Sequence, residues 1–489
     1  MIKLNSNTYR DKIYACWLGK NIGGTMGGPF EGKRELLNVT GFTTPKDTVL
    51  PNDDLDLQLV WLAALERTGA KNLNAKVLGE YWLNYVTPHW NEYGIGKVNM
   101  QSGLMPPLCG DFRNEWKHSN GAWIRTEVWA CLAPACPDIA VKYAYEDAVI
   151  DHGCGEGTIA AIFIAAIESA AFIENDIMKL INIGLSKIPE SSRVAQSIKL
   201  LLELYESGAD WKDARNAILE QNMDIGDGWF EAPSNVAYAI LGLLYGNGDF
   251  KNSMLYAINC GDDTDCTAAT VGSILGIMHG TDIIPEDWKD HIGDSIVTVS
   301  IAKGVLMGLP ETCTELTDRI IRAMPDMIYG NTGANKPLPI IIYDGETQIT
   351  DGYYDTLYNG DFAKKLCERP EYSFREKLNL SVEATIIFKS EPFIEPNKSL
   401  NLDVILSNNS DYGLVPYYAE LSWILPEGFS VSGAKSVTVP HLTIRDTDPK
   451  IALNYTITAG EKVESINELA LKIKLKGNGT YFIPINIMG

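Results

Sequence analysis

No C-x-x-C pair occurs in the chain, and its nine cysteines, an odd number scattered over 489 residues, suggest no disulfide framework. Reduced, buried thiols are the expectation. Long apolar runs are missing too. The longest helical one, Ile159 to Ile167, is stopped by Glu168 at about half the roughly 20 residues that a membrane span requires. It reads as a core helix. The stretch Met1 to Arg10 is polar and lacks the apolar run of a signal peptide, so a cytoplasmic location is expected and a membrane partner is not. Basic residues are scarce: 41 Lys plus Arg against 63 Asp plus Glu give a net charge of -22. Such a surface repels phosphate backbones and anionic lipid, which excludes nucleic acid as a general partner. A phosphate-bearing small substrate would need a local metal or a helix N-terminus to offset that field. Neither a Ser-His-Asp nor a Cys-His arrangement offers a covalent nucleophile, and no internal repeat or low-complexity tract is visible.

At 489 residues the chain is too long for one ordinary core, so at least two domains are expected. From Asn7 to about Ile328 small and apolar residues recur at helical spacing, as in Leu57 to Leu65, Thr158 to Phe172, Val194 to Glu206, Asn235 to Tyr245 and Ala268 to Met278. Residues 1–335 therefore read as one all-α, many-helix domain. Residues 336–371, with Pro337, Pro339 and a Gly, Asp and Tyr-rich stretch, read as a connector. Residues 372–489 change to a period of two: Leu378 to Phe388, Leu400 to Leu406, Ala419 to Ile424, Lys435 to Val439, Ile451 to Ile457, Leu469 to Leu475 and Gly479 to Ile487 alternate or are β-branched. An antiparallel β-sandwich is expected there. Its aromatics, among them Tyr412, Tyr417, Tyr418 and Trp423, suit packing better than a sugar-binding platform, and the sequence leaves open whether the domain covers the helical domain's entrance or mediates dimerisation.

Two acidic clusters stand out against this background. Asn52, Asp53, Asp54 and Asp56 follow Pro51 and precede the apolar stretch Leu57 to Leu65, with no Lys or Arg between Leu50 and Glu66. A helix N-terminus uses one or two such side chains as caps, which leaves carboxylates over. The second cluster, Cys260-Gly261-Asp262-Asp263-Thr264-Asp265-Cys266, again opens a helix rich in small residues and has no base nearby. Adjacent acids at loop-to-helix junctions are the hard oxygen ligands that Mg²⁺ or Mn²⁺ prefers, and two such groups can hold two ions. An EF-hand is excluded, because with Asp263 first the turn glycine is Ala268 and the closing acid is Ile274. The His and Cys spacing is wrong for zinc motifs. Each cluster alone is explained by a capped helix start; both in one helical domain point to a cation.

Four stretches in order carry a family resemblance: DKIYACWLGKNIGGTMGGPFEG (Asp11 to Gly32), Asn52-Asp53-Asp54, SNGAWIR (Ser119 to Arg125) with AVIDHG (Ala148 to Gly153), and NCGDDTDCTAATVGSILG (Asn259 to Gly276). Over about residues 7 to 330 the chain resembles the ADP-ribosylglycohydrolase family, the group that includes the dinitrogenase-reductase-activating glycohydrolase. The resemblance implies two divalent ions, Mg²⁺ or else Mn²⁺, with Asp53, Asp54, Asp263 and Asp265 as ligands. Asn52 stands where the family usually has Thr and can offer the ion a carbonyl oxygen instead, and Cys266 replaces the family's second usual Thr ligand. A thiol suits a hard ion poorly, so the second position is expected to be weaker or differently coordinated. Asp262 replaces a Gly and adds charge. Glu31 matches the glutamate at the site entrance, where it would activate or position water. Asn120, Gly121 and His152 match substrate-pocket positions.

The implied function is hydrolysis of an ADP-ribosyl or related ribosyl glycosidic bond, with a small-molecule or ADP-ribosylated substrate. Two alternatives remain open: another nucleoside or glycoside as substrate, and a non-catalytic ligand-binding protein on the same fold. The series Gly19, Gly23, Gly24, Gly27 and Gly28 follows a helix rather than a strand, so it is no dinucleotide fingerprint. It reads as helix packing followed by a flexible loop.

Overall fold

Asn5 caps the first helix, α1 (Ser6–Gly27), by accepting a hydrogen bond from the Thr8 amide. The helix runs on through Gly19, Gly23, Gly24 and Gly27 and is followed by a short 3₁₀ turn, Gly28–Phe30, so no flexible loop follows Gly19. The reason lies in the partner helix, Thr264–His279. A methyl group at Gly19 would fall 2.2 Å from the Gly272 carbonyl oxygen, one at Gly23 2.3 Å from the Ala268 carbonyl carbon, and one at Gly27 2.3 Å from the Thr264 carbonyl oxygen. The two backbones touch in opposite directions with nothing between them. Each glycine costs a helix about 1 kcal/mol, and this close approach offsets the cost.

The computed structural model describes residues 1–226, 228–302, 304–333, 336–408, 416–440 and 449–489. It divides into two units, Met1–Lys97 with Asn114–Glu368, and Val98–Arg113 with Arg369–Gly489. The first unit is helical. Its second helix, α2 (Asp53–Thr68), buries Leu57, Leu59, Val60, Trp61 and Leu62, and the Glu156–Ala170 helix is buried over nearly its whole length. Among the described residues no helix is long and apolar enough to cross a membrane. A small sheet was not expected in this unit: β1 (Ile2–Asn5) pairs parallel with β2 (Ile340–Tyr343) and antiparallel with β3 (Gln348–Ile349). Ile2 and Leu4 alternate inward in β1, a signal too short to read without its partners. The stretch 336–371 holds β2, β3 and two short helices, Tyr353–Leu357 and Asp361–Cys367.

The second unit is the antiparallel sandwich. One sheet has the order β4 (Ser373–Lys377), β5 (Val382–Phe388), β6 (Ser399–Asn408), β10 (Lys450–Thr458), β8 (Ser430–Gly433). The other runs β12 (Gly479–Met488), β11 (Ile466–Leu475), β7 (Tyr417–Ile424), β9 (Ser436–Val439). Period-two burial builds the core: Val382, Ala384, Ile386 and Phe388 from one sheet, Leu469, Leu471, Ile473 and Leu475 from the other. Within this unit Arg369 donates two hydrogen bonds to the buried carboxylate of Asp111, at 2.8 and 2.9 Å. That pair ties residues 98–113 to the start of the sandwich. Trp423 meets Tyr455 edge-on at 5.2 Å, whereas Tyr418 is 41% exposed; Tyr412 lies outside the described residues.

Candidate metal centre

The Asn52 side chain caps α2 by accepting from the Asp54 amide at 2.8 Å. The three acids of that first turn then separate. Asp56 turns away and accepts from the Val299 and Ser300 amides at 2.6 and 2.5 Å, so it anchors a loop. Asp53 accepts from the Tyr93 hydroxyl at 3.3 Å. Asp54 is 1% exposed, and its Oδ2 has no hydrogen-bond donor among the described residues. Its nearest cation is the buried Lys20 ammonium at 3.6 Å.

The Thr264–His279 helix opens from a turn in which Gly261 and Asp262 have φ of 76° and 62°. A side chain at Gly261 would strike the Glu35 and Lys33 carbonyl oxygens at 2.3 and 2.5 Å. That contact leaves room only for glycine and lets Gly32 and Lys33 pair with Asp262 through two backbone hydrogen bonds of 2.9 Å. The pairing carries Glu31 to the start of the helix. The Asp262 charge does not enter the cavity: its carboxylate is buried and faces Arg34 and Arg215 at 3.8 and 3.9 Å. Asp263 is held by Asn120 Nδ2, which donates to its Oδ2 at 2.7 Å, and its amide donates to Asn235 Oδ1 at 3.2 Å. Cys266 Sγ donates to Asp54 Oδ1 at 3.5 Å.

α1 lies against both helix starts: a methyl group at Gly27 would fall 2.3 Å from the Thr264 carbonyl oxygen and one at Gly24 1.9 Å from Asn52 Nδ2. Two sets of donors result, Asp54–Asp265–Cys266 and Glu31–Asp263–Asp265, and within each set the donor atoms lie within 4.8 Å of one another. Asp265 belongs to both. Asp54 Oδ2, Asp263 Oδ1 and Asp265 Oδ1 are buried without a donor among the described residues, which is costly unless a cation meets them. The missing counter-charge shows in their proton affinities. Burial, with Asp265 and Asp53 nearby, pushes Glu31 up to about 8. Burial and Asp265 push Asp53 up to about 6. Burial holds Asp54 and Asp263 well above the usual carboxylate range, although Lys20 pulls Asp54 down.

Of the residues singled out in the sequence, Glu31, Asp53, Asp54, Gly121, Asp263, Asp265 and Cys266 line one cavity of about 340 Å³. Asn52, Asn120 and His152 are not on its wall: Asn52 and Asn120 hold Asp54 and Asp263 in place, while His152 is fully buried between Asp151, at 2.8 Å, and Ser119, at 3.2 Å. Sequence reasoning passed over Trp90, Tyr93, Trp229, Phe230 and Glu92, which also line the cavity. Glu92 is 1% exposed, its Oε2 lacks a donor among the described residues, and burial with Asp151 keeps it well above the usual range. An acid between aromatics in Trp90-Asn91-Glu92-Tyr93 was the available signal.

Beneath the floor lies a fully buried charge network. Lys20 Nζ donates to Glu127 at 2.7 Å and to the Ile124 carbonyl at 2.6 Å, and Gln58 donates to Glu127 at 2.8 Å. Burial opposes the Lys20 charge, but Glu127 and Asp54 outweigh it and hold its pKa above the ordinary value. Arg125 bridges Asp147 and Asp151 at 2.9 to 3.1 Å.

A helical unit in which two helix starts converge on one acidic cavity has the donor chemistry of a divalent-cation centre. The chain belongs to the ADP-ribosylglycohydrolase family, whose model it matches over residues 5–325. It is similar to the human ADP-ribosylhydrolase ARH3, 23% identical over 236 residues, which cover 40% of this chain and 62% of that protein. The match thus spans less than two thirds of that relative's length. A 73-residue stretch, 15% of this chain and 20% of the other, is 32% identical to the ADP-ribosylarginine hydrolase Tri1 of Serratia proteamaculans (strain 568). Among solved structures, one titled an ADP-ribosylglycohydrolase-related protein complex aligns with 67% of this chain and all of its own, at 19% identity and a TM-score of 0.42.

Proposed function

We propose that the protein is a binuclear-metal-dependent hydrolase that cleaves the glycosidic bond of an ADP-ribosyl or related ribosyl group. One observation carries the reading: two donor sets sharing Asp265, one of them including Glu31, line one cavity with buried carboxylate oxygens that lack a hydrogen-bond partner among the described residues. The relatives' names, an ADP-ribosylhydrolase and an ADP-ribosylarginine hydrolase, agree with it. Asp53, Asp54, Asp263, Asp265 and Cys266 would hold two divalent ions. When bound, the ions supply Lewis acidity toward sugar hydroxyls and water.

The remaining steps belong to the chain. Glu31 sits on the exposed turn after the 3₁₀ segment and, in the ionised form that a neighbouring cation favours, would accept a proton from the attacking water. Glu92, whose protonated form is favoured by burial and by Asp151, would offer a proton to the departing group from the aromatic side of the cavity. Trp90, Tyr93, Trp229 and Phe230 present flat apolar faces that exclude water and hold a planar portion of substrate. Asn120 and Tyr93 fix the orientations of Asp263 and Asp53. Glycosidic cleavage through an oxocarbenium-like transition state on these terms needs no covalent nucleophile.

A second reading keeps the reaction and changes the substrate to an unphosphorylated nucleoside or glycoside. It is favoured by the lining itself: Glu31, Asp53, Asp54, Glu92, Asp263 and Asp265 contribute carboxylates, and no Lys, Arg or His is among the described lining residues. Release of sugar from ADP-ribosylated arginine, ADP-ribosylated peptide and plain ribosides, with Mg²⁺ or Mn²⁺, separates the two. Metal-dependent turnover of any of them, lost in Asp54→Asn and in Asp263→Asn, is expected. Full turnover in both variants would end the proposal.

A further inference from the structure

The two donor sets differ in chemistry. Glu31–Asp263–Asp265 is all oxygen, whereas Asp54–Asp265–Cys266 contains a sulfur that is 4% exposed and sits in the first turn of its helix. We propose, on the basis of the metal-dependent reading above, that Cys266 makes the second set a mixed oxygen–sulfur site selective for a thiophilic divalent ion such as Zn²⁺ or Co²⁺. The first set remains a site for a hard ion such as Mg²⁺ or Mn²⁺.

Three observations support the assignment. The first is spacing. Bonds near 2.3 Å to sulfur and near 2.1 Å to oxygen, with Cys266 Sγ and Asp54 Oδ1 3.5 Å apart, subtend about 105° at a shared ion, close to the tetrahedral angle of about 109°. Adjacent oxygens in an octahedral Mg²⁺ shell with bonds of about 2.1 Å lie only about 3.0 Å apart. The second is the surroundings of the sulfur: Asp54, itself 1% exposed, keeps Oδ2 without a hydrogen-bond donor among the described residues, and so does Asp265 Oδ1. The third is charge. Two carboxylates and a thiolate would meet here, and the nearest cation, Lys20 Nζ at 3.6 Å from Asp54, is already paired with Glu127 at 2.7 Å, so the excess negative charge calls for a further cation. Soft thiolate donors favour Zn²⁺ and Co²⁺ over Mg²⁺, and binding displaces one proton, that of the thiol, to solvent.

A thiol that only donates a hydrogen bond to Asp54 is the competing account, and Co²⁺ titration of the full chain distinguishes the two. The expected result is a sulfur-to-cobalt charge-transfer absorption with tetrahedral ligand-field bands in the visible. Cys266→Ser, which keeps a donor to Asp54, should abolish the charge-transfer band and weaken Zn²⁺ binding roughly tenfold or more, with Mg²⁺ binding unchanged. Asp263→Asn, which disables the all-oxygen set, should leave the band in place. Cobalt binding without a sulfur band, identical in wild type and Cys266→Ser, overturns the inference and leaves the metal-dependent reading standing. No binding of any divalent ion by calorimetry overturns that reading as well.

Discussion

Replacing Gly23 by alanine sets two physical effects against each other. In an isolated helix the change is favourable by up to about 1 kcal/mol, because alanine lowers the entropy that glycine loses on folding. Here the new methyl carbon would sit 2.3 Å from the Ala268 carbonyl carbon and 2.3 Å from the Ala269 nitrogen. Both are backbone atoms that no rotamer change can move. Ordinary contact needs about 1 Å more, so the Thr264–His279 helix has to shift by that much along its contact with α1. Overpacking of this kind costs about 1–3 kcal/mol, and backbone on both sides places it at the upper end. Gly23→Ala is therefore expected to destabilise the helical unit by about 2 kcal/mol net. It should also loosen divalent-ion binding, because Asp263 and Asp265 ride on the displaced helix start. Gly28→Ala is the control: its methyl would meet only the Leu50 side chain, at 3.5 Å. Urea midpoints followed by far-ultraviolet circular dichroism, with calorimetric metal titration, measure both consequences. A Gly23→Ala protein as stable as wild type, or more so, with unchanged metal binding would refute the argument that direct backbone contact builds the centre.

Asp56→Ala should cost about 2–3 kcal/mol, since two amides at Val299 and Ser300 lose a charged acceptor, yet divalent-ion affinity should stay within about twofold because Asp56 is not on the cavity wall; calorimetry with chemical denaturation checks both. Arg125 cannot satisfy two buried carboxylates equally: Asp151 is held below its ordinary value, while burial, outweighing Arg125, pushes Asp147 up to about 6. Asp147 therefore binds its proton more tightly in the folded state than in the unfolded one, so its contribution to stability is full below about pH 4 and is lost as pH rises toward 6. That shift corresponds to about 3 kcal/mol, and Asp147→Asn should flatten the stability profile in this window; an unchanged slope would remove Asp147 as its source. Arg369→Ala leaves Asp111 buried without its bidentate partner and should cost about 3–5 kcal/mol, read as a lowered unfolding midpoint for the sandwich while metal binding is retained.

The strands and long helices were legible from local pattern: β5 and β11 alternate, and the Glu156–Ala170 helix carries the unbroken apolar run Ile159 to Ile167. What escaped was whatever depends on a distant partner. The α1 glycines read as helix packing, but which helix they pack against, and that the helix continues through Gly27, shows only when the glycines and alanines of the other helix are set against them. β1 is four residues long and acquires meaning only beside β2. Residues 98–113 join the sandwich unit through Asp111 and Arg369, a pairing 258 residues apart.

For the site, the clustering of acids without neighbouring bases was visible, but the division of labour within each cluster was not. Three consecutive-looking acids at the start of α2 serve three ends, because successive helical residues point about 100° apart: Asp56 to a loop, Asp53 toward Tyr93, and Asp54 to the buried floor. Asp262 is sorted differently: it stands outside the helix in a left-handed turn, φ 62°, and its charge goes to Arg34 and Arg215, while Asp263 and Asp265 at the helix start face the cavity. Local patterning thus nominates a group of carboxylates, and only the contact between two helix backbones decides which of them meet. The unpartnered oxygens that remain after that sorting, on Asp54, Asp263 and Asp265, are the physical reason a cation belongs there. Filling the cavity with water alone would leave these buried carboxylates with most of their repulsion for one another, since a neutral molecule cannot cancel charge.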